Sequence, residues 1–245
     1  MAEQGGGAGS RVPAARHEGG GGAASSNALF RAYPGLADRI PWVELGSWPT
    51  PVARVEDVPD GFRGELWVKR DDRSSGRYGG NKVRKLEYLL ADALERGAGR
   101  LITTGVEGSH HCLATCVHGR RVGLPTTLVV FPQPETDHSR EMASLNRAWA
   151  DQVRRCSTFA VQPFAEAAVR WRHRKEDPYV IPGGGSNAVG ALGYVTGGLE
   201  LAVGILLVVT IRPGTGADDT FAYVDPSVAA REETSALDTL LEVVL

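Results

Sequence analysis

The sequence predicts an α/β fold with largely parallel strands, and three observations carry that prediction. Short apolar runs rich in β-branched residues stand at 66–68, 101–105, 126–131 and 179–181. Between them lie stretches of roughly ten to fifteen residues with apolar positions at helical spacing, the alternation expected of strand–helix–strand units. No internal repeat is found, and 245 residues are enough for one large or two modest domains.

Residues 1–26 are dominated by Gly, Ala and Ser. They bury too little apolar surface to offset their ordering entropy, so a disordered tail is expected. From Ala28 the texture changes. Leu29, Phe30, Tyr33, Leu36, Ile40, Trp42, Val43 and Leu45 come densely, interrupted by Pro34, Pro41, Pro49 and Pro51. That pattern predicts extended segments and turns packed against a domain surface. The strand at 66–68 leads through a charged, glycine-rich turn into a helix on which Val83, Leu86, Leu89, Leu90, Ala93 and Leu94 share a face, closed by Gly97. After the strand at 101–105, Ser109 opens a helix over 110–122 that ends at Gly123. The strand at 126–131 is followed by helices over 140–149 and 164–175. A strand at 179–181, a tight loop over 182–187 and a helix running to Ala202 come next. Beyond these, a strand at 205–211, the Gly214-Thr215-Gly216 turn, an acidic stretch and a helix from Ser235 are expected.

Composition is that of an ordinary globular protein, and a formal net charge of -2 gives no basic patch for nucleic acid or an anionic membrane. The most apolar window, 199–211, contains Glu200 and falls short of the roughly 18 to 20 residues of a membrane span. Cys112, Cys116 and Cys156 have the wrong parity for a disulfide framework, and no secretion signal opens the chain, so a reducing cytoplasm is expected.

Lys82 is the first candidate for chemistry. Gly76, Gly79 and Gly80 before it allow close approach of a ligand to the backbone. A cation at a helix N-terminus is unfavourable, so a lysine placed there either has another use or is simply solvated. Lys85, inside the helix, and Lys69, beside Asp71 and Asp72, rank behind it. Ser109-His110-His111 is the second candidate, since a helix N-terminus offers N–H groups to a carboxylate or phosphate. The plainer reading is an N-cap serine with two surface histidines. Cys112 and Cys116 sit four apart near His111 and His118, but lack the two-residue spacers or second cluster of zinc sites, so buried free cysteines and no metal are expected. Gly183-Gly184-Gly185-Ser186-Asn187-Ala188 matches a loose dinucleotide pattern without the acidic residue about 20 positions on that ribose recognition needs.

Several motifs together carry a resemblance. They are Pro49-Thr50-Pro51-Val52, Lys69-Arg70-Asp71-Asp72, Gly79-Gly80-Asn81-Lys82 with Arg84-Lys85-Leu86-Glu87, and Ser109-His110-His111. To these are added Tyr179-Val180-Ile181-Pro182 with Gly183 to Asn187, and Gly190-Ala191-Leu192-Gly193-Tyr194. In this order the chain resembles the pyridoxal-phosphate enzymes of the tryptophan-synthase β-like class (fold type II). Within that class it is similar to the 1-aminocyclopropane-1-carboxylate deaminase and D-cysteine desulfhydrase family.

The resemblance implies two three-layer αβα domains with mainly parallel sheets. It assigns 27–95 and 177–245 to a large cofactor-binding domain and 96–176 to a small substrate-side domain. It implies that Lys82 holds pyridoxal 5'-phosphate as an internal aldimine and shuttles protons at the substrate carbon. Asn81 matches the position beside the cofactor ring. Ser109 matches the substrate-contacting serine, and Ser109, His110 and His111 are placed to receive a substrate carboxylate. His110 stands where the family commonly has an asparagine that contacts the cofactor's phenolic oxygen. A small amino-acid substrate and a homodimer are also implied, the reaction releasing ammonia with a 2-oxo acid, or sulfide as well.

After Ala202 the chain departs from the family pattern. Gly214-Thr215-Gly216 is the only echo of the phosphate-binding loop, with Asp218 and Asp219 beside it, and Leu245 comes well short of a complete member. A C-terminally truncated or frame-shifted member with an incomplete large domain is expected. An inactive remnant serving as a binding or dimerising module is the alternative. A nicotinamide-dependent oxidoreductase rests only on the glycine pattern.

Overall fold

The computed structural model describes residues 26–56 and 66–202. The expected tail up to residue 25, the strand at 205–211, the Gly214-Thr215-Gly216 turn and the helix from Ser235 lie outside the described residues.

The described chain is α/β. A four-stranded sheet of β3 (Arg100–Val106), β4 (Thr126–Phe131), β5 (Gln152–Arg155) and β6 (Pro178–Ile181) has the order β5-β4-β3-β6 with every pair parallel. A separate antiparallel pair joins β1 (Val52–Arg54) to β2 (Trp67–Lys69). The helices are α1 (Ala28–Ala32), α2 (Lys82–Glu95), α3 (His110–Arg121), α4 (Asp137–Trp149), α5 (Gln162–Arg172) and α6 (Ala188–Ala202).

Strand alternation builds three layers around the parallel sheet. Leu101 and Ile181 join the core formed by α2 and Ala114 of α3, while Leu128 and Val130 pack on Cys112 and Cys116 of the same helix. Ile102, Val129 and Val180 face the other way, onto Val169 and Ala165 of α5. Each fully buried leucine in these layers contributes roughly 1.5 to 3 kcal/mol. Helix α2 is buried from Val83 to Ala93, including Arg84, Lys85, Glu87 and Asp92, so its charged groups need partners inside the protein. Its C-terminus closes at Gly97, with φ +73°, as its glycine predicts.

Three features differ from the sequence expectation. The segment after Ala28 begins with helix α1 rather than extended chain, because the Asn27 side chain accepts from Leu29 and Phe30 N–H and both side chains are buried. Five residues are too few for a periodic signal. Strand β5 went unrecognised because it is a sheet edge whose Gln152, Arg154 and Arg155 are exposed, which erases the apolar alternation. Helices α4 and α5 start earlier than expected, α4 from a capping box between Thr136 and Ser139, and α5 with Pro163 in its first turn, where its missing N–H costs nothing.

The order β5-β4-β3-β6 positions the site. From β3 the chain steps outward through β4 to β5 and then returns to the opposite side of β3 as β6. Such a reversal opens a crevice at the C-terminal ends of the two strands that part there. Val106 leads from β3 to Ser109, and Ile181 leads from β6 to the glycine loop. The sheet runs across the 176/177 division drawn from the family resemblance, since β6 pairs with β3.

Candidate active site

The turn that presents Lys82 is shaped by its own backbone. Gly80 donates its N–H to the Asp71 carbonyl at 2.7 Å and to the Ser74 hydroxyl at 3.1 Å. A Cβ on Gly79 would stand 2.1 Å from the Asp72 carbonyl oxygen, and Gly80 has φ +113°, so both positions require glycine. Helix α2 then starts at half-buried Lys82, with exposed Asn81 in the N-cap position. The Asn81 side chain makes no cap bond and the first turn carries no acidic residue. Lys82, Arg84 and Lys85 therefore crowd the positive end of a helix dipole.

Arg84 is neutralised within the fold. It pairs with Asp71 at 2.7 Å and Glu200 at 2.9 Å, donates to Thr50, and stacks 4.1 Å from the Trp48 ring centroid. Lys69 reaches the same Glu200 at 2.8 Å. Lys85 has no such compensation. It is buried, makes no ion pair among the described residues, and its Nζ donates to the Gly184 carbonyl at 3.1 Å and the Ser186 hydroxyl at 3.0 Å, with the Tyr194 ring 4.8 Å away. Burial, with the charge of Lys82 adding to it, lowers the Lys85 pKa. A buried cation with neutral partners at a helix N-terminus is half of an anion site.

The glycine loop supplies the facing wall. Gly184 and Gly185 take φ +67° and +66°, and a Cβ on Gly185 would meet Leu89 at 3.0 Å, Lys85 at 3.4 Å and His111 at 3.6 Å. Helix α6 lies directly on α2, since a Cβ on Gly193 would stand 2.4 Å from the Arg84 backbone. These contacts explain why the Gly190-to-Tyr194 motif accompanies the lysine motif.

His111 completes the crevice from α3. Its Nε2 lies 3.0 Å from the Thr103 hydroxyl, whose own proton goes to the Ile181 carbonyl at 2.9 Å, so Nε2 carries the imidazole hydrogen. Nδ1 makes no hydrogen bond of good geometry among the described residues, although the Pro182 carbonyl lies close enough to the ring to favour its protonated form slightly. Burial first, then the charges of Lys82 and Lys85, push the His111 pKa down to about 4 and keep the ring neutral. Ser109 caps α3, its hydroxyl accepting from Cys112 N–H at 3.3 Å and lying beside the Cys112 thiol.

The expected site residues are thus divided by the structure. Lys85 and His111 meet at the glycine loop, the charge of Lys82 acts on both, and Ser109 heads the helix that carries His111. His110 is exposed and turns instead to Tyr78 and His138. Gly214, Thr215 and Gly216 lie outside the described residues. Sequence reasoning ranked Lys85 behind Lys82, named Tyr194 only as the end of the Gly190-to-Tyr194 motif, and did not single out Thr103. The available signal for Lys85 was its spacing of three from Lys82, which puts both on one helix face. Cys112 and Cys116 are buried free thiols on the α3 face toward Leu128 and Val130, with burial pushing the Cys112 thiol up to about 12.

The family model described as pyridoxal-phosphate dependent enzyme matches residues 43–215. D-cysteine desulfhydrase of Klebsiella pneumoniae (strain 342) is 39% identical over 170 residues, which is 67% of this chain and 52% of that protein. A putative 1-aminocyclopropane-1-carboxylate deaminase of Pyrococcus furiosus is 32% identical over 209 residues, 82% of this chain and 63% of that protein. A crystal structure described as an ACC deaminase homologue superposes with a TM-score of 0.60 at 34% identity, covering 69% of this chain and 53% of the other. The chain thus spans about half the length of the Klebsiella relative (52%) and of the solved homologue (53%).

Proposed function

Because the chain belongs to the family of pyridoxal-phosphate-dependent enzymes, we propose that it is a lyase or deaminase acting on a small amino acid, of the D-cysteine desulfhydrase or 1-aminocyclopropane-1-carboxylate deaminase kind. The observation that carries the reading is the crevice between β3 and β6. Uncompensated Lys85, the Nδ1 of His111 without a well-formed hydrogen bond and a loop wall where Gly185 leaves no room for a Cβ fit an anionic, hydrogen-bonding aromatic group. Pyridoxal phosphate, when bound, supplies an electron-accepting ring that stabilises negative charge at the substrate carbon.

The chain's own residues do the rest. Lys82 would hold the group through its amine at the mouth of α2. Lys85, which donates to the Ser186 hydroxyl, would offer its positive charge to an anionic part of the group. The Ser109 hydroxyl, with the first N–H groups of α3, orients a substrate carboxylate. His111 Nδ1 offers a fixed acceptor to a ligand N–H or O–H, and its neutrality avoids a third cation beside the two lysines. The glycine loop belongs to this crevice, so the nicotinamide reading loses its only support.

The test is a visible absorption spectrum of the purified chain with added pyridoxal phosphate, compared with Lys82→Ala. A band present in the parent and lost in the variant is expected, with borohydride reduction fixing the cofactor on the Lys82 peptide. Absence of the band, or a band indifferent to the substitution, overturns the reading. Sulfide release from D-cysteine and ammonia release from 1-aminocyclopropane-1-carboxylate then separate the two activities.

A further inference from the structure

A chain of three titratable side chains, unused by the proposed reaction, links the Lys82 turn to the N-termini of α3 and α4. The Tyr78 hydroxyl lies 2.6 Å from His110 Nδ1, and His110 Nε2 lies 3.0 Å from His138 Nε2. The two imidazole planes are 28° apart with centroids 5.2 Å apart. Each group comes from a different segment. Tyr78 precedes the Gly79-Gly80-Asn81-Lys82 turn, His110 follows Ser109 at the start of α3, and His138 stands in the first turn of α4. The Tyr78 backbone is pinned as well, its carbonyl 2.9 Å from Nε2 of buried His118.

We propose that Tyr78, His110 and His138 form a pH-operated clasp. It closes the N-terminus of α4 onto the Ser109 end of α3 and, through Tyr78, ties the Lys82 turn to the same point, with His110 as the positioning residue.

Proton counting supplies the mechanism. A neutral imidazole has one donor and one acceptor nitrogen. With both rings neutral, the two bonds run in one sense, either Tyr78 O–H to Nδ1 and His110 Nε2–H to His138, or the reverse. One added proton leaves both bonds intact, because a protonated His110 donates at both nitrogens, to the phenol oxygen and to His138. The second proton does not. Both Nε2 atoms then carry hydrogen, and two cations meet at two helix N-termini whose dipoles already oppose positive charge, Asp137 in the first turn of α4 being already paired with Arg140. By this count of donors and acceptors the clasp is closed with none or one extra proton on the imidazole pair and open with two.

Burial and the charge of His138 hold the His110 pKa below its ordinary value, and burial raises that of Tyr78, which keeps its proton. Tyr78 from the turn and His138 from α4 are the titratable groups facing His110 among the described residues. His118 shares its helix, but its pKa is lowered by burial first and by the charges of Arg121 and Arg77, with its bond to the Tyr78 carbonyl acting the other way. Acid therefore opens the α4 side and leaves the Tyr78 link in place. That this alters the seating of the cofactor rests on the role proposed for Lys82; the clasp itself does not.

The full chain with labelled histidines, followed by NMR from about pH 8 to about pH 4, reads each ring, and hydrogen exchange corrected for its intrinsic pH dependence reads the backbone. His110 should take up its proton in a step below the ordinary histidine range, as its burial and the neighbouring His138 direct. Through that step, exchange at the first bonded amides of α4, from Arg140 to Met142, should accelerate roughly three- to tenfold, the size carried by one net hydrogen bond. In His138→Gln, which keeps a donor and an acceptor but no titration, the acceleration should vanish. Tyr78→Phe should speed exchange in the 79–83 turn at every pH and leave the α4 response intact. A His110 step within the ordinary histidine range in the parent protein, or α4 exchange that ignores that step, overturns the clasp. An unchanged turn in Tyr78→Phe removes its tyrosine arm. None of these readouts requires cofactor, so they stand or fall apart from the Lys82 spectrum.

Discussion

Glu87, on buried helix α2, is only 2% exposed, yet it accepts four hydrogen bonds. Oε1 takes Leu45 N–H at 2.9 Å, Gly46 N–H at 3.0 Å and Trp48 Nε1 at 2.6 Å, and Oε2 takes Trp42 Nε1 at 2.9 Å. Burial nevertheless outweighs these donors and raises its pKa from 4.5 to about 7. A group whose pKa is raised by folding stabilises the fold fully below its unfolded value and loses that contribution as pH rises through the folded one. At roughly 1.4 kcal/mol per pH unit, the span from 4.5 to about 7 is worth about 3 kcal/mol. Glu87→Gln stays neutral at every pH, but its amide N–H₂ faces the Trp42 N–H and forfeits a bond, at a cost of about 1 to 3 kcal/mol. The variant should therefore be less stable than the parent in mild acid, and the deficit should shrink by about 3 kcal/mol by about pH 8, until the two are equal or reversed. Urea unfolding followed by tryptophan fluorescence at both pH values measures this. A deficit that is constant, or that grows with pH, refutes the claim that Glu87 is held protonated by burial.

His111 should act in the opposite sense. Its pKa falls from 6.5 to about 4 on folding, so stability is full above about 6.5 and declines by up to about 3 kcal/mol as pH drops toward 4, an acid limb that His111→Asn should flatten in the same unfolding series. Removing the Arg84 guanidinium by Arg84→Met leaves Asp71 with only the Thr50 hydroxyl and buried Glu200 with only Lys69 among the described residues, and should cost about 3 to 5 kcal/mol in urea unfolding, with Arg84→Lys a poor rescue because one ammonium cannot serve both carboxylates. Gly193→Ala, whose Cβ would stand 2.4 Å from the Arg84 backbone, should lower thermal stability by about 1 to 3 kcal/mol, whereas Gly198→Ala, on the same helix in open space, should be neutral or gain up to about 1 kcal/mol in the same melt. Lys85→Met should weaken pyridoxal phosphate binding by roughly tenfold or more in a spectral titration, the worth of a charge-assisted bond.

Much of the fold was legible because its signals are local. The helical spacing of Val83 to Leu94, the stop at Gly97, the Ser109 cap and the apolar runs of β3, β4 and β6 can each be read within about ten residues, and each reappears in the structure. Strand β5 and helix α1 were not legible, the first because an edge strand needs no apolar alternation, the second because one turn of helix shows no period. The candidate site was legible as motifs and not as an arrangement. Lys82, Ser109 and the glycine loop could be singled out by residue type, but which neighbouring side chain turns inward is decided by packing.

The sequence by itself determined the alternation of strands and helices, the glycines that shape two turns, and the family resemblance resting on Gly79 to Lys82. The tertiary structure alone decided the strand order β5-β4-β3-β6, which opens the crevice between β3 and β6. It decided that His111 faces Gly185 and Lys85 while His110 faces Tyr78 and His138. It also decided that Lys85 is buried without an anion among the described residues while Arg84, one residue away, has two. The physical reason is distance along the chain: Lys85 meets Ser186 across 101 residues and Arg84 meets Glu200 across 116, so the charge that each lysine or arginine feels is set by segments that only folding brings together.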